Sequence, residues 1–133
     1  EMSEGTNVEQ VDLIERTVAN LGRAGMRVAI DDFGIGYSSL SRIDLKHIQF
    51  LKVDPSLVAG CVQDKAKANI CEAAIKLANS LELRALAEGV ESLAQAKFLT
   101  KVGCQFLQGY HIQPPADAAA ITQMLNEKKA WKF

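Results

Sequence analysis

Residues 29–40 read "AIDDFGIGYSSL". The run that leads in, "MRVAI" (26–30), is too short for a helix and apolar apart from Arg27. It ends in two adjacent carboxylates, Asp31 and Asp32, and then in a loop with two glycines. A short apolar run closed by polar and glycine residues reads as a strand buried on both faces. Its polar end is the part to explain, because adjacent carboxylates repel and contribute little to packing.

The same pattern recurs along the chain. "FLKV" (50–53), "LRALA" (83–87) and "CQFLQ" (104–108) are further short apolar runs. Segments with helical spacing lie between them. Val11, Ile14, Val18 and Leu21 share one face, and Gly25 follows as a stop. Ile70, Ala74, Leu77, Ala78 and Leu81 line a second helix. "SLAQAKFLTKVG" opens on a serine cap and closes near Gly103, and "ADAAAITQMLNEKK" follows Pro114 and Pro115 as a last helix. Strands alternating with helices imply βα units on a parallel sheet. No linker or low-complexity tract divides the 133 residues, so residues 1–133 read as one unit.

Composition removes several classes of function. Apolar residues make up 48% and charged residues 23%, as in an ordinary globular chain. A net charge of -1 gives no electrostatic ground for binding DNA or for direct contact with a membrane surface. No apolar run approaches the roughly 18 residues of a bilayer span, and no signal peptide is visible. Cys61, Cys71 and Cys104 lack metal or redox spacing and read as reduced packing thiols of a cytoplasmic chain. The chain starts at Glu1 rather than Met, which reads as a piece of something longer.

Each strand-like run ends in polar groups. Asp31 and Asp32 close the first. Lys52 and Asp54, two apart, fall on one strand face near the end of the second. Glu88, Gly89 and Glu91 follow the third, and Gln108, Gly109 and Tyr110 the fourth. Glu1 and Glu4 open the chain, as if after a strand that is not present. Parallel βα folds place their sites at the carboxyl ends of the strands. Glu1, Asp31, Asp32 and Glu88 converging on Lys52 would need cations to stay ionised. All-oxygen donors favour Mg²⁺, Mn²⁺ or Ca²⁺, and such ions beside a lysine suit phosphodiester hydrolysis. Taken singly, such an acid is more often a helix cap or solvated loop residue, and a lone lysine such as Lys52 more often a surface residue. The repetition at four strand ends is what argues for a site. His47 and His111 have no evident partner in the sequence and read as structural or surface residues.

Five stretches, "EMSE", "IDDFGIGYSSL", "LKVD", "AEGVE" and "QGYHIQPP", stand in the order and at the spacing of the EAL-domain family, which this chain resembles over nearly its whole length. The resemblance implies the C-terminal half of a TIM-like (β/α)8 barrel, with about four βα units and parallel strands. It implies hydrolysis of cyclic di-GMP to linear pGpG by a two-metal mechanism with Mg²⁺ or Mn²⁺. By position, Glu1, Asp31 and Asp32 resemble the family's metal ligands. Lys52 resembles the lysine that holds the attacking water, and Glu88 the general base or site organiser. Glu4 resembles the residue that steadies the loop after the aspartates. Gly36, Tyr37 and Ser38 fall in that loop, and Glu91 and Gln108 match further active-site positions. The implied partners are cyclic di-GMP, a second copy in a homodimer, and a sensor or GGDEF-type domain in the parent, which could itself be membrane-anchored. The E-A-L signature and a metal-binding asparagine lie upstream of Glu1 in the family. Ile35, His47, Gln49 and Pro55 also depart from residues common there. The alternative is a degenerate module that binds cyclic di-GMP or a protein without cleavage. Half a barrel leaves open sheet edges, so the isolated chain is expected to associate and to have little or no activity.

Overall fold

A computed structural model describes residues 2–3, 11–34 and 45–127. Strand β1 (Met2–Ser3) is followed by α1 (Val11–Arg23), β2 (Val28–Phe33), a single 3-10 turn (Leu45–His47) and β3 (Ile48–Val53). Then come α2 (Pro55–Gly60), α3 (Lys65–Ser80), β4 (Arg84–Ala87), α4 (Leu93–Lys101), β5 (Phe106–Leu107) and α5 (Ala118–Asn126). The five strands form one sheet in the order β1-β2-β3-β4-β5, and every neighbouring pair is parallel. This is the open, sequentially ordered sheet expected of part of a βα barrel. One detail differs from the expectation. The opening residues do not merely follow a strand, because Met2 and Ser3 pair with Ile30 and Asp31 as a strand of their own.

The register separates two faces. Ile30, Leu51 and Ala85 are lateral neighbours, as are Val53 and Ala87, and all five are buried. They face the helices, where α3 packs across β3 and β4 and α1 across β2. The opposite face carries Ala29, Phe50, Arg84, Leu86 and Phe106 and is only partly covered, with Phe106 39% exposed. In a barrel that face points inward. Phe50 and Phe106 meet edge to face there, with ring centroids 5.5 Å apart.

Helix α3 forms where its spacing predicts, but on a rotated face. Cys71, Ala74, Ile75 and Ala78 are buried, whereas Ile70 and Leu77 are exposed. Small side chains at 71, 74 and 78 let the helix approach the sheet closely and leave Ile75 as the large filler. Three residues of the predicted α1 face pack as expected, since Val18 is buried and Ile14 and Leu21 lie against the core, while the Val11 side chain is outside what the structure describes. Helix α4 has a full capping box. Ser92 accepts from the Gln95 backbone N–H, and Gln95 Oε1 accepts from the Ser92 backbone N–H. Gln95 also donates to the Val58 carbonyl at 3.2 Å, which ties α4 to α2.

The three cysteines are buried and unbridged. Burial pushes the Cys71 thiol up to about 12, helped by its neighbours Cys61 and Cys104. Burial likewise pushes Cys104 up to about 11, and it raises Cys61. Thiols held neutral in this way are packing groups with little reactivity. Among the described residues, no helix is long and apolar enough to cross a membrane.

Candidate functional site

Asp31 and Asp32 lie inside β2 rather than beyond it, and the local register shows how. Ile30 pairs with Leu51 and Phe33 with Val53, so the two aspartates oppose the single residue Lys52. This is a β-bulge, which re-aims side chains at a strand end. Asp32, within this insertion, has a left-handed φ of 54°. For a non-glycine residue that conformation costs about 1–2 kcal/mol. The Asp32 backbone N–H donates to Asp31 Oδ1 at 3.1 Å, which orients the first carboxylate with the second residue's own amide.

Lys52 sits beneath the bulge. Its Nζ lies 2.9 Å from Asp31 Oδ1 and 3.1 Å from Glu88 Oε1. The three side chains are 10%, 20% and 16% exposed, so the cluster is screened from most of the solvent. They come from β2, β3 and the residue after β4, three neighbouring strand ends on the inward face of the sheet. An ammonium between two carboxylates at this depth is a preorganised charge cluster whose members hold one another in place.

A backbone staircase places these ends. Asp54 N–H donates to the Phe33 carbonyl, Glu88 N–H to that of Val53, and Gln108 N–H to that of Ala87. The residue after each of β3, β4 and β5 therefore bonds to the last carbonyl of the strand before it. This continues the parallel ladder one step past the sheet and fixes Glu88 beside Lys52. The loops after β4 and β5 then interlock: Val90 N–H donates to the Gln108 carbonyl and His111 N–H to that of Val90. A Cβ at Gly109 would overlap the Val90 backbone, so the interlock requires glycine.

The structure thus unites Asp31, Lys52 and Glu88, with Asp32 adjoining them on the bulge. Glu91 is exposed and gives its backbone N–H to Gln95 in the α4 cap. Gln108 is exposed and acts through its backbone in the staircase. Glu1, Glu4, Gly36, Tyr37 and Ser38 lie outside the described residues. Asp54 does not join Lys52 on one strand face. It is buried as the N-cap of α2, and its carboxylate accepts from the Ser56 N–H at 2.7 Å. The Asp-Pro step at 54–55 was the signal for that short helix, because proline is preorganised for the first helical turn.

The donor chemistry of Asp31, Asp32 and Glu88 is hard oxygen, which suits Mg²⁺, Mn²⁺ or Ca²⁺. Among the described residues, no three His, Cys, Asp or Glu side chains are grouped so as to hold a metal ion. Asp31 and Asp32 fit such an ion as part of a donor set, with Asp31 Oδ1 already engaged by Lys52.

Fold and site together define an α/β barrel portion with a lysine–carboxylate cluster at its strand carboxyl ends. The sequence pattern of the EAL domain matches residues 1–115, and the chain belongs to the EAL domain family. It is 36% identical over 121 residues to MucR of Pseudomonas aeruginosa, a bifunctional diguanylate cyclase/cyclic di-GMP phosphodiesterase, and covers 91% of this chain but 18% of that protein. The MucR phosphodiesterase solved as a c-di-GMP complex superposes with a TM-score of 0.80 at 36% identity, over 90% of this chain and 49% of that one. The EAL domain of Mycobacterium smegmatis DcpA gives 0.85 at 32% identity, over 96% and 57%. Klebsiella pneumoniae BlrP1, solved with calcium and cyclic di-GMP, gives 0.70 at 33% identity, over 81% and 27%. The chain therefore spans about half of the EAL domains it matches and about a fifth of the full-length relative.

Proposed function

We infer that this chain is the C-terminal part of a cyclic di-GMP phosphodiesterase domain that cleaves the cyclic dinucleotide to linear pGpG. The observation that carries this reading is Lys52 held between Asp31 and Glu88 on three adjacent strand ends. A cyclic dinucleotide brings phosphodiester anions to the site. The Lys52 ammonium offsets their charge and orients an attacking water, and Glu88 accepts a proton from that water. Asp31 and Asp32 would furnish metal-ligand oxygens, and Glu1 would add another by its match to the family's motif. Mg²⁺ or Mn²⁺ bound there supplies Lewis acidity and a more acidic water. Among the described residues β1 and β5 are the edges of the sheet and its inner face is only partly covered, which supports association, either with the rest of the domain or between two copies in a homodimer. The small share of MucR that is covered supports a regulatory neighbour, such as a sensor or GGDEF-type domain, in the parent protein.

A chimera tests this reading. This chain replaces the matching half of the MucR phosphodiesterase domain, and cyclic di-GMP is followed by chromatography. Linear product formed with Mn²⁺ or Mg²⁺, and abolished by chelator, is the expected outcome. A folded chimera without turnover contradicts it. A second reading, binding without cleavage, applies to the 133 residues alone, since they span only half of the domains they match. In that case the isolated chain with Mn²⁺ yields no product above a metal-free control.

A further inference from the structure

A polar cavity lies at the end of the strands opposite the lysine–carboxylate cluster. It has a volume of about 230 Å³ and is lined by Arg27, Ile48, Gln49, Phe50, Glu82 and Arg84. These residues precede or begin β2, β3 and β4. Glu88 lies four residues along the strand from Arg84, so the cavity is roughly 13 Å from the lysine–carboxylate cluster. Two guanidinium groups and one carboxylate share it. The ion pairs among the described residues involve Lys52 and Lys76, and neither arginine takes part in one.

Two further details restrain the polar groups that line this space. Gln49 Oε1 accepts from the Val28 backbone N–H at 2.8 Å. Because a backbone N–H can only donate, that bond fixes the amide orientation and leaves the Gln49 NH₂ as the donor end. The Arg84 guanidinium lies over the Phe106 ring, 5.9 Å from its centroid, which restrains it beside the inner face. Two forks of guanidinium donors and a carboxamide NH₂ form a set matched to a tetrahedral oxyanion. The volume falls below the ~300 Å³ at which drug-sized ligand pockets begin, so it suits a phosphate group rather than a whole nucleotide.

We propose that the N-terminal mouth of the sheet is a phosphate-binding pocket, formed by Arg27, Gln49 and Arg84 and separate from the Lys52 cluster. It takes inorganic phosphate or the phosphate end of a small ester. Glu82 works against the anion and sets a moderate affinity.

The test is titration of inorganic phosphate into the metal-free protein at constant ionic strength, with chloride as control. Side-chain N–H signals of Gln49 and the arginines are followed by NMR. The expected result is saturable movement of these signals. Arg27→Gln and Arg84→Gln should each weaken Kd by about tenfold, the loss of one charge-assisted contact. Glu82→Gln should tighten binding severalfold, a gain that misfolding cannot imitate. Linear movement equal to that in chloride overturns the proposal. So does saturable binding that Lys52→Met abolishes while both arginine variants leave it intact.

Discussion

Replacing Lys52 by methionine keeps much of the aliphatic stem and removes only the charge. It also leaves Asp31 and Glu88, 20% and 16% exposed, facing the space the ammonium held. At N···O distances near 3 Å and an effective dielectric of ~20, each pair contributes about 5 kcal/mol of Coulomb attraction before desolvation is counted. Desolvating three charged groups offsets much of this. What remains visible is the cost of breaking a largely buried pair, about 3–5 kcal/mol. Residual water access puts the expectation at the lower end, about 3 kcal/mol. With a urea slope of about 1.5 kcal/mol/M, Lys52→Met should lower the unfolding midpoint by about 2 M without changing the slope. Glu88→Gln in the Lys52→Met background should restore about 1–2 kcal/mol, because it removes a carboxylate the first change stranded. A midpoint shift below about 0.3 M, or strict additivity of the two changes, would refute the idea that these groups form one coupled cluster.

Gln95→Ala should destabilise by about 2 kcal/mol, against about 1 kcal/mol for Ser92→Ala. Gln95 is buried and serves both the α4 cap and the Val58 carbonyl, whereas Ser92 serves the cap alone, so urea midpoints should rank them in that order. The cysteines predict an alkaline limb. Folded-state thiols raised from 9.0 to about 12 and about 11 stabilise the protein fully below pH 9. Above that, the unfolded chain loses thiol protons that the folded chain retains. Stability should therefore fall between about pH 9 and 12, and Cys71→Ala should flatten that limb in urea titrations at stepped pH.

The parallel sheet and most of its helices were legible because the strands are short, mostly apolar runs punctuated by glycine and acids. The strand ends of "LKVD" and "AEGVE" already pointed to Lys52 and Glu88. Periodicity did not reveal which face of α3 is buried. Ile70 and Leu77 are large and apolar, yet the helix turns its small residues, Cys71, Ala74 and Ala78, to the sheet, since close approach outweighs side-chain size. The bulge at Asp31 and Asp32 was equally hidden. It depends on pairing two residues of β2 with one of β3, a relation between strands that neither strand states alone. Asp54 looked like a partner of Lys52 by strand spacing, but the proline after it ends the strand and turns its carboxylate into a cap.

The central claim is that Asp31, Lys52 and Glu88 together form half of a phosphodiester-cleaving site. It is tested most directly in the MucR chimera, by the rate of cyclic di-GMP hydrolysis at saturating Mn²⁺ in Lys52→Met and Glu88→Gln against the unsubstituted protein. The account predicts a loss of about a hundredfold or more in each, with the fold retained by circular dichroism. Folded variants that hydrolyse cyclic di-GMP within a few-fold of the unsubstituted chimera would contradict it.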